Sequence, residues 1–212
     1  MSPNDVDVSN AMSVPPNESA NRREARAQAT RTRFLEAGRR LFAEHGLAGV
    51  TSHAIAEEAG YAAGTFYLHF KDKQALFDEL AEEAAQDLER RLLAVMAEKS
   101  EIADIAYAQA DALVSFAEEQ RELLLIAFHR GSESGDVGAR ILQRLAEGVS
   151  SRRREIAASG DSDPAFDPDV LAQAIVGMWA QVLLWWAEDP SRAQREDVIR
   201  TMTRFQLFGS RR

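Results

Sequence analysis

Beyond residue 26, apolar residues return every three or four positions, and no segment shows the two-residue alternation of a half-buried strand. This periodicity restricts the chain to an all-α fold. Phe34, Leu35, Gly38, Leu41 and Phe42 share one helix face until Gly46 supplies a stop, which predicts a first helix from about Arg26 to His45. Thr51 or Ser52 is a natural N-cap for a short second helix from His53 to Ala59, closed by Gly60, and a third is expected over Ala63 to Phe70. Asp72 caps a long fourth helix reaching about Met96, in which Leu76, Leu80, Ala84, Leu88 and Leu92 recur every four residues. Breaks near Ser100, around Gln120, at Gly131 to Gly138 and at Ser159 to Pro168 divide the rest. A late helix carries Leu171, Ile175, Trp179, Val182 and Trp186 and ends at Asp189-Pro190, and the last carries Val198, Met202 and Phe205. The pattern amounts to about nine helices. Residues 1 to 25 lack apolar periodicity and are expected to form a disordered tail.

Charge is distributed unevenly along these elements. The whole chain is acidic, with a formal charge of -9, yet residues 21 to 75 hold nine Lys/Arg against six Asp/Glu. Attraction to phosphate is local, so this segment is the one suited to a polyanion. Arg22, Arg23, Arg26, Arg31 and Arg33 form a basic arm leading into the first helix, suited to phosphates or a minor groove and equally consistent with a solvated tail.

The inventory narrows the chemistry. There is no cysteine, which removes disulfides, thiolate metal sites and cysteine nucleophiles. The four histidines, His45, His53, His69 and His129, include no pair at i, i+4, and no P-loop, HExxH or GxSxG is present. Asp161-Ser162-Asp163 lacks metal spacing, so neither a metal nor a cofactor is expected, and an enzyme is only a remote alternative. The most apolar stretch, Met178 to Ala187, is about half a bilayer span, and residues 1 to 20 have no apolar signal region; a cytoplasmic protein without membrane contact is expected.

Two short helices joined by a tight turn at Gly60 have the spacing of a helix-turn-helix over about residues 51 to 70. A helical corner in any all-α core has the same spacing, so the residues must decide. Residues 34 to 80 include Leu41-Phe42, Gly46, Thr51, Ile55-Ala56, Ala59-Gly60, the tract Gly64-Thr65-Phe66-Tyr67-Leu68-His69-Phe70, and Lys73 with Leu76. This segment resembles the N-terminal domain of the TetR/AcrR family of transcriptional regulators, and the likeness extends over about residues 28 to 88. The resemblance implies a DNA-binding domain there and an effector-binding and dimerisation domain over residues 89 to 212. It also implies a repressor that binds a palindromic DNA operator as a homodimer and is released by a small apolar effector. A TetR-like DNA binder without effector, in a structural or chromosomal role, is the alternative.

Within the resemblance, Thr51 and Ser52 place a hydroxyl and free amides where a phosphate meets the start of the second helix. Tyr67 and His69 look like phosphate contacts, with packing against the first helix as the other reading of His69. Lys73 sits in the first turn of a helix whose dipole disfavours it, which suggests a phosphate partner. Base reading falls to His53 and to Tyr61, Ala62, Ala63, Gly64 and Thr65. The small residues among these allow close approach but no bidentate purine contacts, so thymine methyl groups and DNA shape should matter. For the effector, Tyr107, Asp111, Phe116, Phe128, His129, Trp179 and Gln181 are the polar or aromatic residues on otherwise apolar helices. Trp179, Val182, Trp186, Met202 and Phe205 are the expected dimer interface, because the late helix is apolar over more than one stripe. The Arg152-Arg153-Arg154 run is expected to be a solvated face.

Overall fold

In the computed structural model, which describes residues 16–98, 101–128, 136–158 and 166–208, every regular element is helical. In chain order these are α1 (Pro16–His45), α2 (Ser52–Glu58), α3 (Ala63–Phe66), α4 (Lys73–Glu98), α5 (Ile102–Glu119), α6 (Arg121–Phe128), α7 (Val137–Ala158), α8 (Pro168–Glu188) and α9 (Arg195–Phe208), with a 3-10 turn at Pro190–Arg192 between the last two. The nine α-helices among the described residues match the expected number, and no strand occurs among them.

The caps are those the sequence supplies. Gly46 takes φ 66° after α1, its N–H bonding Phe42 O at 2.9 Å, and Gly60 takes φ 79° after α2, where Tyr61 N–H reaches Ala56 O at 2.9 Å. Thr51 Oγ1 accepts from Ala54 N at 3.1 Å, Asp72 Oδ1 accepts from Ala75 N at 2.8 Å, and Asp167 Oδ1 caps α8 through Asp169 N and Val170 N.

Helices α1 to α3 and the head of α4 enclose a core of aromatic rings. Phe34 is its hub, with ring centroids 5.3 Å from Tyr61, 5.4 Å from Phe66, 5.6 Å from His69 and 6.4 Å from Phe70. Edge-on and tilted pairs of this kind add about 0.5–1.5 kcal/mol each beyond the area they bury. A Cβ on Gly38 would lie 2.4 Å from Leu76 Cδ2, so a larger residue there would displace the buried Leu76 side chain where α1 meets α4. The remaining helices form a second layer in which α7 packs along α8 and α5 along α9. Both halves share α4.

Three expectations require correction. The disordered tail does not reach residue 25, since α1 starts at Pro16. Residues 20 to 29 of this helix are exposed, so they needed no apolar periodicity; Pro at the first helical position and a run of Ala, Arg, Glu and Gln suffice to continue the helix outward. Residues 1 to 15 lie outside the described residues. Next, α3 ends at Phe66, and the chain continues in tight turns, with His69 N–H bonding Phe66 O at 2.9 Å. Those turns let both Phe66 and Phe70 reach Phe34. Finally, α8 as a whole has 21 residues and a mean hydropathy of 1.5 over its apolar window, long and apolar enough to cross a membrane by length and composition. The stretch judged too short omitted the small apolar residues that precede Met178. Ala172, Ile175, Val176, Trp179, Leu183, Trp186 and Ala187 of this helix are buried inside the protein.

Candidate nucleic-acid interface and ligand cavity

The expected DNA-facing residues divide into an exposed group and a group engaged within the domain. Thr51, His53, Ala62, Gly64 and Tyr67 are exposed, with Tyr67 at 60%, while Ser52, Ala63 and Thr65 are partly covered. A Cβ on Gly64 would meet nothing within 4 Å, so the start of α3 presents open backbone. Leu68 at 83% exposure and Lys71 extend the same surface; neither was singled out by sequence, because an exposed Leu has no chemical signature.

The engaged group shows what fixes that surface. Tyr61 is half-buried on Phe34, and its hydroxyl lies 3.4 Å from Thr30 Oγ1. His69 is likewise half-buried on Phe34, which is the packing reading of that residue. Lys73 Nζ donates to Leu47 O at 2.8 Å, tying the head of α4 to the turn after α1. The dipole argument for a phosphate beside Lys73 is thereby weakened, since a carbonyl already accounts for the cation. The Thr51 hydroxyl serves as the α2 cap.

The basic arm also divides. Arg31 belongs to the fold: its Nε donates to Glu79 Oε1 at 2.8 Å, its Nη1 donates to His69 O at 2.7 Å, and its guanidinium stands 4.2 Å from the Phe70 ring centre. At about 100° per residue, Arg22, Arg26 and Arg33 fall within about 40° of one another on α1. Thr30, which meets Tyr61, lies about 60° from the middle of that stripe, whereas Arg31 lies about 160° away, towards α4. The stripe therefore flanks the surface carrying Tyr61 and α3.

In the other half, α4, α5, α6, α7 and α8 surround an apolar cavity that opens to solvent. Its wall includes Ala81, Ala84, Ala85 and Leu88 of α4, Leu113 and Phe116 of α5, Phe128 of α6, Leu145 of α7, and Trp179 and Leu183 of α8. Where α4 lines the cavity it carries Ala81, Ala84 and Ala85 beside Leu88, whereas nearer its head it carries Leu76, Phe77 and Leu80. Of the expected pocket residues, Phe116, Phe128 and Trp179 line this cavity.

The others do not. Tyr107 donates to Glu196 Oε1 at 2.9 Å, and Asp111 accepts from Arg195 at 2.7 Å, so both belong to the polar seam between α5 and α9. Gln181 is exposed on the far side of α8, and His129 lies outside the described residues. The aliphatic lining was missed because a cavity wall and a packed core have the same apolar spacing.

The dimer expectation changes as well. Trp179, Trp186 and Met202 are buried within the single chain, and Trp186 Nε1 donates to Ala193 O at 2.9 Å. Val182 is half-buried, while Phe205 is 60% exposed. Val170, Ala174, Gly177, Gln181 and Trp185 on α8, with Thr201, Phe205 and Phe208 on α9, form the outward faces. Trp179 and Trp186, seven residues apart, thus face the inner side of α8, and Trp185 the outer side.

An ionic ladder joins α4 to α7. Arg144 bonds Glu82 at 2.7 Å and Glu89 at 2.6 Å, and Arg140 reaches Asp78 at 3.4 Å. The hydrogen bond from Arg144 holds the Glu82 carboxyl below the usual glutamate range, against partial burial, which pushes it up. A second link runs from α1 to the residue preceding α6, where Arg39 Nη1 donates to Gln120 Oε1 at 2.8 Å. The Arg152-Arg153-Arg154 run is only partly a solvated face, since Arg154 pairs with Asp169 beside the α8 cap.

Residues 34–80, which hold the aromatic core and the open face around α3, match the sequence model of bacterial regulatory proteins, tetR family. That segment is a TetR-type N-terminal domain. It is 28% identical over 163 residues to the transcriptional regulator UidR of Escherichia coli strain K12, a match spanning 74% of this chain and 81% of that one. Among solved structures, the TetR-family fold recurs in the fatty acid degradation regulator FadR from Bacillus halodurans, with 18% identity, a TM-score of 0.72 and coverage of 84% and 94% of the two chains. It recurs in FadR from Bacillus subtilis in complex with stearoyl-CoA, with 20% identity, a TM-score of 0.68 and coverage of 82% and 96%. The curated relatives matched by sequence are transcriptional regulators by name.

Proposed function

We propose that this chain is a cytoplasmic, ligand-responsive repressor that binds a palindromic DNA operator as a homodimer and is released by a small, largely apolar molecule. Residues 28 to 88 form its DNA-binding domain and residues 89 to 212 its effector and dimerisation domain. The single observation that carries this reading is the position of α4: its head packs in the aromatic core under the helix-turn-helix, and its middle forms a wall of the cavity. A ligand filling that cavity pushes on the helix that holds the DNA-facing surface. Because α4 contains no Gly or Pro, a displacement at its middle is passed to its head. By linkage, operator DNA and effector then weaken each other's binding by the same factor.

On the DNA side, Thr51, Ser52, His53, Ala62, Ala63, Gly64, Thr65 and Tyr67 face the duplex, joined by Leu68 and Lys71, while Tyr61, His69 and Lys73 chiefly hold that face in place. The stripe Arg22, Arg26 and Arg33 grips the flanking phosphates. Apolar and small side chains at the start of α3 favour reading of thymine methyl groups and groove shape. Dimerisation uses the outward faces of α8 and α9, so that two recognition surfaces meet successive major-groove faces roughly 34 to 36 Å, or a multiple of that, apart.

Genome-wide DNA capture with the purified protein, followed by footprinting and sedimentation, tests the reading. A palindromic footprint bound by a dimer is expected, with Phe205→Glu giving monomers and far weaker binding. A wild-type monomer at micromolar concentration would overturn the dimer, and occupancy of many dispersed sites with no response to apolar ligands would favour an architectural role.

A further inference from the structure

Among its described residues, the wall of the cavity is built from Ala, Val, Leu, Ile, Phe and Trp alone. Ala84, Phe116, Leu124, Leu145 and Leu183 represent the five helices that enclose it, and none of these side chains carries a donor, an acceptor or a charge. The polar side-chain atom among the wall residues, Trp179 Nε1, is buried without accessible surface, so what Trp179 shows the space is ring carbon. Along α4 and α8 the wall residues stand in mid-helix, where backbone N–H and C=O groups bond to their own helix. Ionisable residues do stand next to wall residues in the chain, yet each has its partner elsewhere. Arg144, which precedes Leu145, bonds Glu82 at 2.7 Å and Glu89 at 2.6 Å, and Arg121 bonds Glu122 at 2.6 Å and donates to the Ala187 carbonyl at 2.6 Å. The space therefore has neither a polar anchor nor a counter-charge to offer.

We propose that the effector is an uncharged, hydrocarbon-like molecule that the cavity holds without a single hydrogen bond, selecting it by volume and shape. The inference rests on reading the cavity as the effector site and adds the ligand class that the wall admits. Each buried CH2 strengthens binding about fourfold for as long as space remains, since apolar burial is the whole of the attraction. An acceptor placed on this wall gives up its bond to water and finds no donor, which weakens binding about tenfold. A carboxylate loses its hydration with no counter-charge in return, and its binding falls by more than about a hundredfold. A site with a polar anchor would rank the same ligands in the opposite order.

Naphthalene, quinoline and 2-naphthoate test this directly, because they share a fused two-ring frame and differ by a ring nitrogen acceptor or an added carboxylate. Lauroyl-CoA is the fourth probe, since its charged head can stay at the opening while its chain enters. Each is dialysed to equilibrium at neutral pH against the full-length wild type and against Ala180→Leu, which fills the space from the α8 side. Naphthalene should bind about tenfold more tightly than quinoline and more than about a hundredfold more tightly than 2-naphthoate, with lauroyl-CoA failing to displace it. Ala180→Leu should weaken naphthalene binding at least about tenfold. Nuclear Overhauser contacts from naphthalene to the Ala84 and Leu88 methyl groups of the wild type give the same location if the variant folds poorly. Quinoline or 2-naphthoate binding as tightly as naphthalene, or displacement of naphthalene by lauroyl-CoA, overturns the inference and leaves the effector cavity standing. Failure of all four probes to bind, or naphthalene binding that makes no contact with those methyl groups and survives Ala180→Leu, overturns the effector cavity and this inference with it.

Discussion

Around Phe34 four aromatic neighbours lie within 6.4 Å and fill the space between α1, α3 and α4, whereas around Trp179 the five surrounding helices leave an unfilled cavity. Both regions are apolar and both are built on α4. The contrast comes from side-chain volume: Leu76, Phe77 and Leu80 stand near the head of α4, and Ala81, Ala84 and Ala85 in its middle. A closely packed region moves as a unit, because its side chains have no room to rearrange. A hollow region accepts a ligand and deforms. In the proposed function, the two regions are joined by one uninterrupted helix, the hollow one as sensor and the packed one as effector arm.

The largest test of this contrast is stability. Phe34→Ala opens a void in a filled core and should cost about 3–5 kcal/mol in denaturant unfolding, whereas Phe116→Ala enlarges an existing space and should cost clearly less. Equal losses would show that the cavity wall is as tightly packed as the aromatic core. Next in size is Ala84→Leu, which fills the cavity from the α4 side. Affinity for apolar ligands should drop at least about tenfold, with up to about 1–3 kcal/mol of overpacking visible in the melt. Undiminished ligand binding would place the effector elsewhere.

A smaller effect is expected where charge, not packing, matters. Replacing both Arg26 and Arg33 by Ala should leave the melting temperature unchanged and lower the salt slope of operator binding by up to about 2, one per phosphate contact. An unaltered slope in filter-binding titrations would return the stripe to solvent. Arg31→Ala should behave differently and destabilise the domain, since that side chain bridges Glu79, His69 and Phe70.

The smallest effect belongs to the ladder between α4 and α7. The Glu82 carboxyl is held below its ordinary range, so the pair contributes fully above that range and its contribution is lost as the pH falls through the lowered value. Both partners are more than a third exposed, at 36% and 41%, so solvent screening limits the contribution to about 1 kcal/mol or less. Arg144→Gln should therefore lower the melting temperature by a few degrees at neutral pH and by less once the pH has fallen through that lowered value. A difference that grows on acidification would mean that the ladder is not what Arg144 contributes.

Helix number, the caps at Thr51, Asp72 and Asp167, and the stops at Gly46 and Gly60 could all be read from the sequence, because each depends on a residue and its immediate neighbours. The family tract was legible for the same reason, being nearly continuous over residues 34 to 80. What the sequence did not separate was the use of equivalent residues. Trp185 and Trp186 are adjacent in the chain, yet one points outward and one inward, and only the packing of α8 on its neighbours decides which is available to a partner. His69 and Lys73 carry groups suited to phosphates, and only the arrival of Phe34 and the Leu47 carbonyl gave them internal partners. Ala84 and Leu88 lie on one stripe with Leu80, but whether such a stripe borders filled or empty space depends on side chains from four other helices. Local chemistry determined the elements and the family, while volume and partnership, which are sums over residues distant in sequence, were decided by the tertiary structure alone.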